Sequence, residues 1–528
     1  MRHRALLVAM ALASTPLFAA SSDQLEQEVK QLHRQASQLQ SQLQQLNQKI
    51  NQQKIKQKQN SQSVHDNNKT AAAKKTGSNV KPDSIVHSST ITVHSFDAHP
   101  ESLEFYPTAL IADDQVVSYI AGTPIVASPF LGSRPAFDGS DYIVNISSIN
   151  RDIRLMQQRR RLYRAYQNLG YDVPNRPIIA LSGALEPSGS LGRTYFRNTN
   201  SDWTLGTSEI DVAAALNDMV EGYIALSYDD SPPTSSRQRV SNSAVNLNMG
   251  FVNIGNLDKT PFYFTAGQLF VPFGRFSSSM ISAPLTMQLA RTQARPIILG
   301  YKSQAETGPF AAIYGFKGDT SLDGADVGGV NLGYVFGDGD TTGEVGASII
   351  NSINDSTGMQ FTGSVPGKTF GGFSSITNGS EAVKKVPAAG GHGSVSFDRY
   401  NLTAEWITAA GRFRRQDLSF NGKGARPSAG QIEGGATFMA FNRPASFAVG
   451  YQWSREALAL NIPRQRVSGA FNISIWKDTV ESIEYRHDTG YYSHQFANGA
   501  APAGVTNATT FGTGGSADTL LAKIGVYF

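Results

Sequence analysis

The sequence predicts an all-β transmembrane barrel of about sixteen antiparallel strands, preceded by an N-terminal α-helical coiled coil. Apolar residues recur at every second position from about residue 176 to the C-terminus, the period of a strand with one face in an apolar medium. The connections between these runs alternate between short and long, as in a barrel with short turns at one rim and long loops at the other. After the first twenty residues no apolar stretch approaches the ~20 residues of a spanning helix. If the chain enters a membrane, only a closed barrel satisfies every backbone group there.

Composition supports the same class. The chain has 528 residues, with 50 Gly, 28 Phe, 19 Tyr and 17% charged residues, a balance that helical enzymes seldom show. It has no Cys, which excludes disulfides, thiolate metal sites and a lipid-modified N-terminal cysteine. A net charge of +4 is too small at this length to argue for nucleic acid as a partner.

In chain order, residues 1–20 read as a signal peptide. "MRHR" is a basic start, "ALLVAMALASTPLF" an apolar run too short to span, and "AASS" a small-residue cleavage region. Residues 22–57 read as a periplasmic coiled coil. Leu25, Val29, Leu32, Ala36, Leu39, Leu43, Leu46 and Ile50 alternate spacings of four and three, with Leu at each d position and a mixed a series that leaves dimer and trimer open. Self-association through this segment is the expected use. Residues 58–87, rich in Asn, Ser, Lys and Ala, read as a flexible linker.

Residues 88–175 read as a small periplasmic or plug-like module. It ends in a basic helix at 149–169, from a Ser cap to the stop signals Gly170 and Pro174. Arg151, Arg154, Arg159, Arg160, Arg161 and Arg164 lie on that helix and are expected to form a solvated face, with Leu155, Leu162, Tyr163 and Tyr166 packed beneath, the alternative being contact with anionic headgroups or peptidoglycan.

Residues 176–528 read as the barrel. Apolar runs begin near residues 178, 208, 220, 242, 261, 296, 309, 327, 342, 393, 401, 431, 445, 466, 479 and 517, an even number. The connections after the odd runs are the long ones. In "ASFAVGYQWS", Phe447, Val449, Tyr451 and Trp453 are expected outside, with Ser446, Gly450, Gln452 and Ser454 inside. The last run, "LLAKIGVYF", places Leu520, Ala522, Ile524, Val526 and Phe528 on one face. It reads as a lipid-facing strand that closes the barrel on the first, with its final aromatic at the membrane interface.

Catalytic patterns are nearly absent, so no enzyme activity, cofactor or metal is expected. There is no H-E-x-x-H and no G-x-S-x-G, and only His487 and His494 come near a ligand spacing. "GDGDTTGE", with Asp338, Asp340 and Glu344, lacks the EF-hand pattern. Thr90-Ile91-Thr92-Val93 looks like a TonB box. The roughly 350 residues after Pro177 are nevertheless too few for twenty-two strands with long outer loops and fit sixteen comfortably.

A sixteen-strand barrel leaves an aqueous lumen, so selectivity must come from whatever narrows it. The Gly- and Ser-rich stretch Ser352 to His392 is the expected inward loop. "GRFSSSMISAPLTMQLARTQARP" is expected to bring Arg275, Arg291 and Arg295 to the mouth, joined by Arg412, Arg414 and Arg415 from another loop. Together these would form an electropositive entrance for a small anionic solute.

The layout of signal peptide, heptads from Leu25 to Ile50, polar linker and a barrel ending in "IGVYF", with the stretches "AGQLFVPFGRF" and "ARPIILGYKS", resembles the LbtU-type siderophore porins of Legionella-like bacteria. The resemblance implies an outer-membrane receptor or pore for ferric siderophore that works without TonB coupling; the region before the barrel is expected to be periplasmic. A general or anion-preferring porin and a structural envelope tether with a barrel anchor are the competing readings.

Overall fold

A computed structural model describes residues 89–91, 109–111, 118–120, 123–127, most of 151–160 and most of 178–527. Within the barrel, 230–243, 319–325, 339–340, 361–383, 477–478, 499–508 and a few single positions lie outside the description. So do the expected signal peptide, coiled coil and linker, and Phe528.

The barrel is closed and has sixteen strands. In chain order these are β1 (Ile178–Leu185, continued by Ser188–Arg193), β2 (Thr199–Thr204 and Glu209–Ala215), β3 (Val220–Asp229), β4 (Ala244–Ile254) and β5 (Phe262–Phe270). There follow β6 (Gln293–Ala294 and Ile297–Lys302), β7 (Gly308–Lys317), β8 (Asp326–Asp338), β9 (Thr341–Ile350), β10 (Ala388–Phe397) and β11 (Tyr400–Ala409). The last five are β12 (Ser428–Ala440), β13 (Arg443–Arg455), β14 (Gln465–Ile473), β15 (Thr479–Thr489) and β16 (Ser516–Tyr527). Each pairs antiparallel with the next, and β16 returns to β1 in the register Asp518↔Arg193 to Lys523↔Ser188 and Val526↔Leu185.

Burial is inverted relative to a soluble protein. Outward positions are exposed and apolar: Ile210, Ile224, Leu299, Leu332, Val449, Leu520 and Ile524 among many. Inward positions are buried and often polar: Glu221, Asn253, Thr265, Asn331, Gln431, Gln452 and Asn472. A contiguous apolar exterior of this extent requires lipid around it. On β13 the expected division holds, with Phe447, Val449 and Tyr451 exposed and Ser446, Gln452 and Ser454 buried.

Glycine finds a use in this wall. Tyr263 lies over Gly300, Tyr314 over Gly329 and Trp203 over Gly189, each aromatic directly opposite its glycine in the register. The ring occupies the space that a β-carbon would take, so small and large residues alternate across strand pairs.

Two boundaries differ from expectation. The long loop expected between β1 and β2 is mostly strand: Ser188–Arg193 pairs with Thr199–Thr204, leaving a tight turn at 194–198. Only Leu191 and Trp203 mark an apolar side there, too few for the period to stand out. β10 begins at Ala388 rather than near 393, because "AAGGHG" is small and polar on both faces.

Thr123–Ala127 runs parallel to the start of β1, with Ile125 opposite Ile179 and Ala127 opposite Leu181. It covers the length of β1 that β16 does not reach, since Tyr527 pairs with Ala184. An otherwise open sheet edge is thereby occupied.

Candidate functional site

The loop from β5 to β6 folds into the lumen. Val271 to Met280 are all buried, and the short helix α1 (Leu285–Ala290) follows on the same path. The inward course starts at Gly274, whose φ of 83° suits glycine, and Phe276 takes a φ of 59°. A β-carbon at Gly274 would strike the Phe276 ring.

A row of inward side chains from successive strands holds this loop by its backbone. Ser348 of β9 accepts from the Gly274 amide at 3.0 Å. Glu405 of β11 accepts from the amides of Arg275 and Phe276 and, at 2.7 Å, from the Thr286 hydroxyl. Glu433 of β12 accepts from the Ser278 hydroxyl at 2.7 Å and from the Ser279 amide. Gln431 donates to the Ser277 carbonyl at 3.0 Å, and Gln452 of β13 accepts from the Leu285 amide at 2.8 Å. Arg466 of β14 donates to the Ala283 carbonyl at 3.1 Å, and Glu484 of β15 accepts from the Ser282 amide at 2.7 Å. Irregular backbone inside a barrel needs such partners, and alternate wall residues supply them.

Of the expected inward loop, Ser352 to His392, the stretch 361–383 lies outside the described residues. Of the β9–β10 connection, residues 351–360 pack against α1: the Ser356 hydroxyl donates to the Leu289 carbonyl and the Thr357 amide to the Arg291 carbonyl. Gly358, in the one-turn helix α2 (Thr357–Gln360), lies against the Gln288 carbonyl where a side chain would clash. This described part of the connection is buried beside the β5–β6 loop, at Ser352, Ile353, Asn354, Ser356 and Met359.

The six arginines expected at the mouth do not make one cluster. Arg275 is buried, its Nε 3.4 Å from the Glu344 carboxylate, which also meets His392 Nε2 at 3.1 Å. Glu344 is thus an inward residue of β9. Arg291 stacks on the Phe270 ring, 4.6 Å from its centroid, with no hydrogen-bond partner for its buried Nε. Burial pushes its guanidinium down to about 10, still charged at neutral pH. Arg295 is a correction: it is exposed on the same outer face as Ile297 and Leu299 and donates to Gln268, because one residue of strand register decides which side of the wall a side chain takes. Arg412 makes a two-pronged pair with Glu456 at 2.9 and 3.1 Å, tying two loops together. Arg414 and Arg415 are exposed on the β11–β12 loop.

The basic helix departs most from expectation. Its described arginines are buried against the inner wall rather than solvated. Arg159 lies 3.4 Å from the Glu221 carboxylate and donates to the Gly255 carbonyl, and Arg160 donates to the Gln304 carbonyl at 3.0 Å. Asp152 accepts from the Thr265 hydroxyl at 3.1 Å, and its carbonyl accepts from Asn253 at 3.0 Å. Arg151 stands 5.7 Å from the Tyr223 ring centroid. Ile153, Leu155 and Met156 join the apolar cluster with Tyr223, Phe251 and Tyr263. These wall carboxylates and amides were legible only as single polar residues on alternating strands. Nothing local marks them as partners of a helix some 60 to 110 residues away.

A closed barrel with an apolar exterior, a polar inner wall and one of its own loops strung across the lumen is a membrane-spanning barrel with a built constriction. The chain belongs to the UPF0422 family: it is 63% identical to the UPF0422 proteins of Legionella pneumophila strains Paris and Philadelphia 1, over the whole of both chains. It is 36% identical to the UPF0422 protein of Coxiella burnetii, over 76% of this chain and 83% of that one. No protein-family model matches. Solved structures similar to it include the outer membrane channel DcaP of Acinetobacter baumannii (12% identity, 68% of this chain and 99% of that one, TM-score 0.42). Another is an anion-selective porin from Comamonas acidovorans (11% identity, 67% and 100%, TM-score 0.43).

Proposed function

We propose that the protein is an outer-membrane porin that passes ferric siderophore into the periplasm without TonB coupling. The observation that carries the channel reading is the loop across the lumen. Ser348, Glu405, Gln431, Glu433, Gln452, Arg466 and Glu484 engage its backbone, an arrangement that a mere membrane anchor has no use for. A lumen narrowed by a fixed loop discriminates among solutes by size and by the polar groups it presents. The siderophore and the independence from TonB rest on the sequence resemblance. Iron itself need not touch the protein, since a siderophore already fills its coordination shell.

The test is uptake of radio-iron presented as ferric siderophore by iron-starved cells, with and without the gene, before and after collapse of the proton gradient. The outer- and inner-membrane steps are assayed separately. Saturable outer-membrane passage that needs the gene and survives the collapse is the expected result. Equal uptake with and without the gene removes the siderophore role and leaves a porin for other small solutes.

A further inference from the structure

Burial of the inward side chains varies around the wall. On β3 to β5 and β12 to β14 nearly every inward side chain is buried, under the basic helix on one side and the inward loop on the other. On β16 and the adjoining halves of β1 and β2 the inward residues are half-buried instead: Thr519, Leu521 and Lys523, then Ser188, Ser190 and Asp202. Inward residues are half-buried also at Glu344, Ser394 and Thr403 on β9 to β11, where Glu344 is already paired with Arg275 and His392, so the β16 wall is one of two solvated lanes of the lumen.

At its edge two guanidinium groups share one carboxylate. Arg466 spends all its nitrogens: Nε and Nη2 on Asp488, at 2.7 and 3.3 Å, and Nη1 on the Ala283 carbonyl. Arg486 lies two residues from Asp488 on the same face of β15, its Nε 3.0 Å from that carboxylate without a hydrogen bond to it. Its side chain is 22% exposed, and its two terminal nitrogens have no hydrogen-bond partner among the described residues. Across the register stand Thr519 of the lane and Ser468, whose buried hydroxyl is likewise unpartnered. The neighbouring charges are spoken for: Glu484 is engaged by the amide and hydroxyl of Ser282, and Lys523 by Glu186 at 3.1 Å.

We propose that solute crosses along the β15–β16–β1 wall and that Arg486 is the point that takes a solute's carboxylate, through the free fork of its guanidinium. This rests on the channel reading and names the chemistry it selects. A guanidinium with both terminal nitrogens open is matched in geometry to a carboxylate, and Ser468 adds a donor beside it.

Because the chain lacks cysteine, single cysteines report access without background. Thr519→Cys and Ser190→Cys probe the lane, with Ala225→Cys and Ala470→Cys as buried controls. Each folded variant is labelled with an anionic sulfonate thiol reagent and with its cationic ammonium analogue. The lane positions are expected to react at least about ten-fold faster than the controls, and Thr519→Cys to favour the anionic reagent several-fold, the scale at which local charge concentrates an ion. Added Arg486→Gln abolishes that preference. Citrate slows labelling when Arg486 is present and fails to in Arg486→Gln. Arg486→Lys keeps the reagent preference while losing most of the citrate protection. Equal rates at Thr519 and Ala225 overturn the lane, and a preference or citrate protection that survives Arg486→Gln overturns the recognition point. Neither readout uses iron or transport, so the siderophore reading can fail while this one stands.

Discussion

Glu405 shows how much one wall residue carries. Its carboxylate accepts from two loop amides and one hydroxyl, so Glu405→Ala orphans three buried donors at once, each costing about 1–3 kcal/mol. The loop is expected to lose its place while the barrel, held by its ladder, survives. In planar bilayers Glu405→Ala then conducts more, with noisier open states, and an unchanged trace would mean the loop is held by its other partners. Arg412→Gln is the contrasting case. Its two-pronged pair with Glu456 is half exposed, and a pair of that kind contributes roughly 0–1 kcal/mol. Its loss is expected to leave both urea midpoint and ion selectivity within error. At Gly300, where Tyr263 fills the β-carbon's space, Gly300→Ala forces the ring aside and costs about 1–3 kcal/mol, read as a lower urea midpoint for barrel folding into lipid.

Among the elements, the basic helix was legible in existence and not in role. Its Ser cap and its Gly and Pro stops are local signals, whereas the direction its arginines face is set by Glu221 and by the carbonyls of Gly255 and Gln304. A polar face against an acidic wall resembles a polar face in water until the wall is in place. Arg159→Ala leaves the Glu221 carboxylate buried without its cation, a loss on the order of 3–5 kcal/mol where such pairs are cut on one side. Hydrogen exchange at the helix amides is expected to accelerate in that variant, with the β12 to β15 amides unchanged. Uniform acceleration throughout would show that the helix is part of the barrel's cooperative unit. The β1–β2 hairpin was missed for a different reason: its upper rungs carry few apolar residues, and pairing register rather than composition makes them strand.

For the whole molecule, parity outperformed detail. An even number of runs with alternating short and long connections sufficed for sixteen strands and closure, because a barrel in lipid tolerates no open edge. Which loop enters the lumen did not follow from length or flexibility of composition. The Gly- and Ser-rich stretch was the natural candidate, and its described start packs on α1, but the loop that the wall carboxylates hold is the one with Phe273, Phe276, Leu285 and Leu289 to bury and hydroxyls to meet them. That signal was present in "VPFGRFSSSMISAPL" as apolar residues in a supposed outer loop. Fully solvated, they would have no apolar partner.

The alternation of side chains carried the fold class, the strand positions, the inside-out distribution of polarity and the lipid-facing closing strand. Each depends on a period of two that lies within a few neighbouring residues, and so is written locally. The constriction, the burial of the basic helix, the outward turn of Arg295 and the pairing of two arginines on Asp488 were decided only when the barrel closed. They depend on which residues of distant strands face one another across the lumen, and on a register in which a shift of one residue exchanges lumen for lipid.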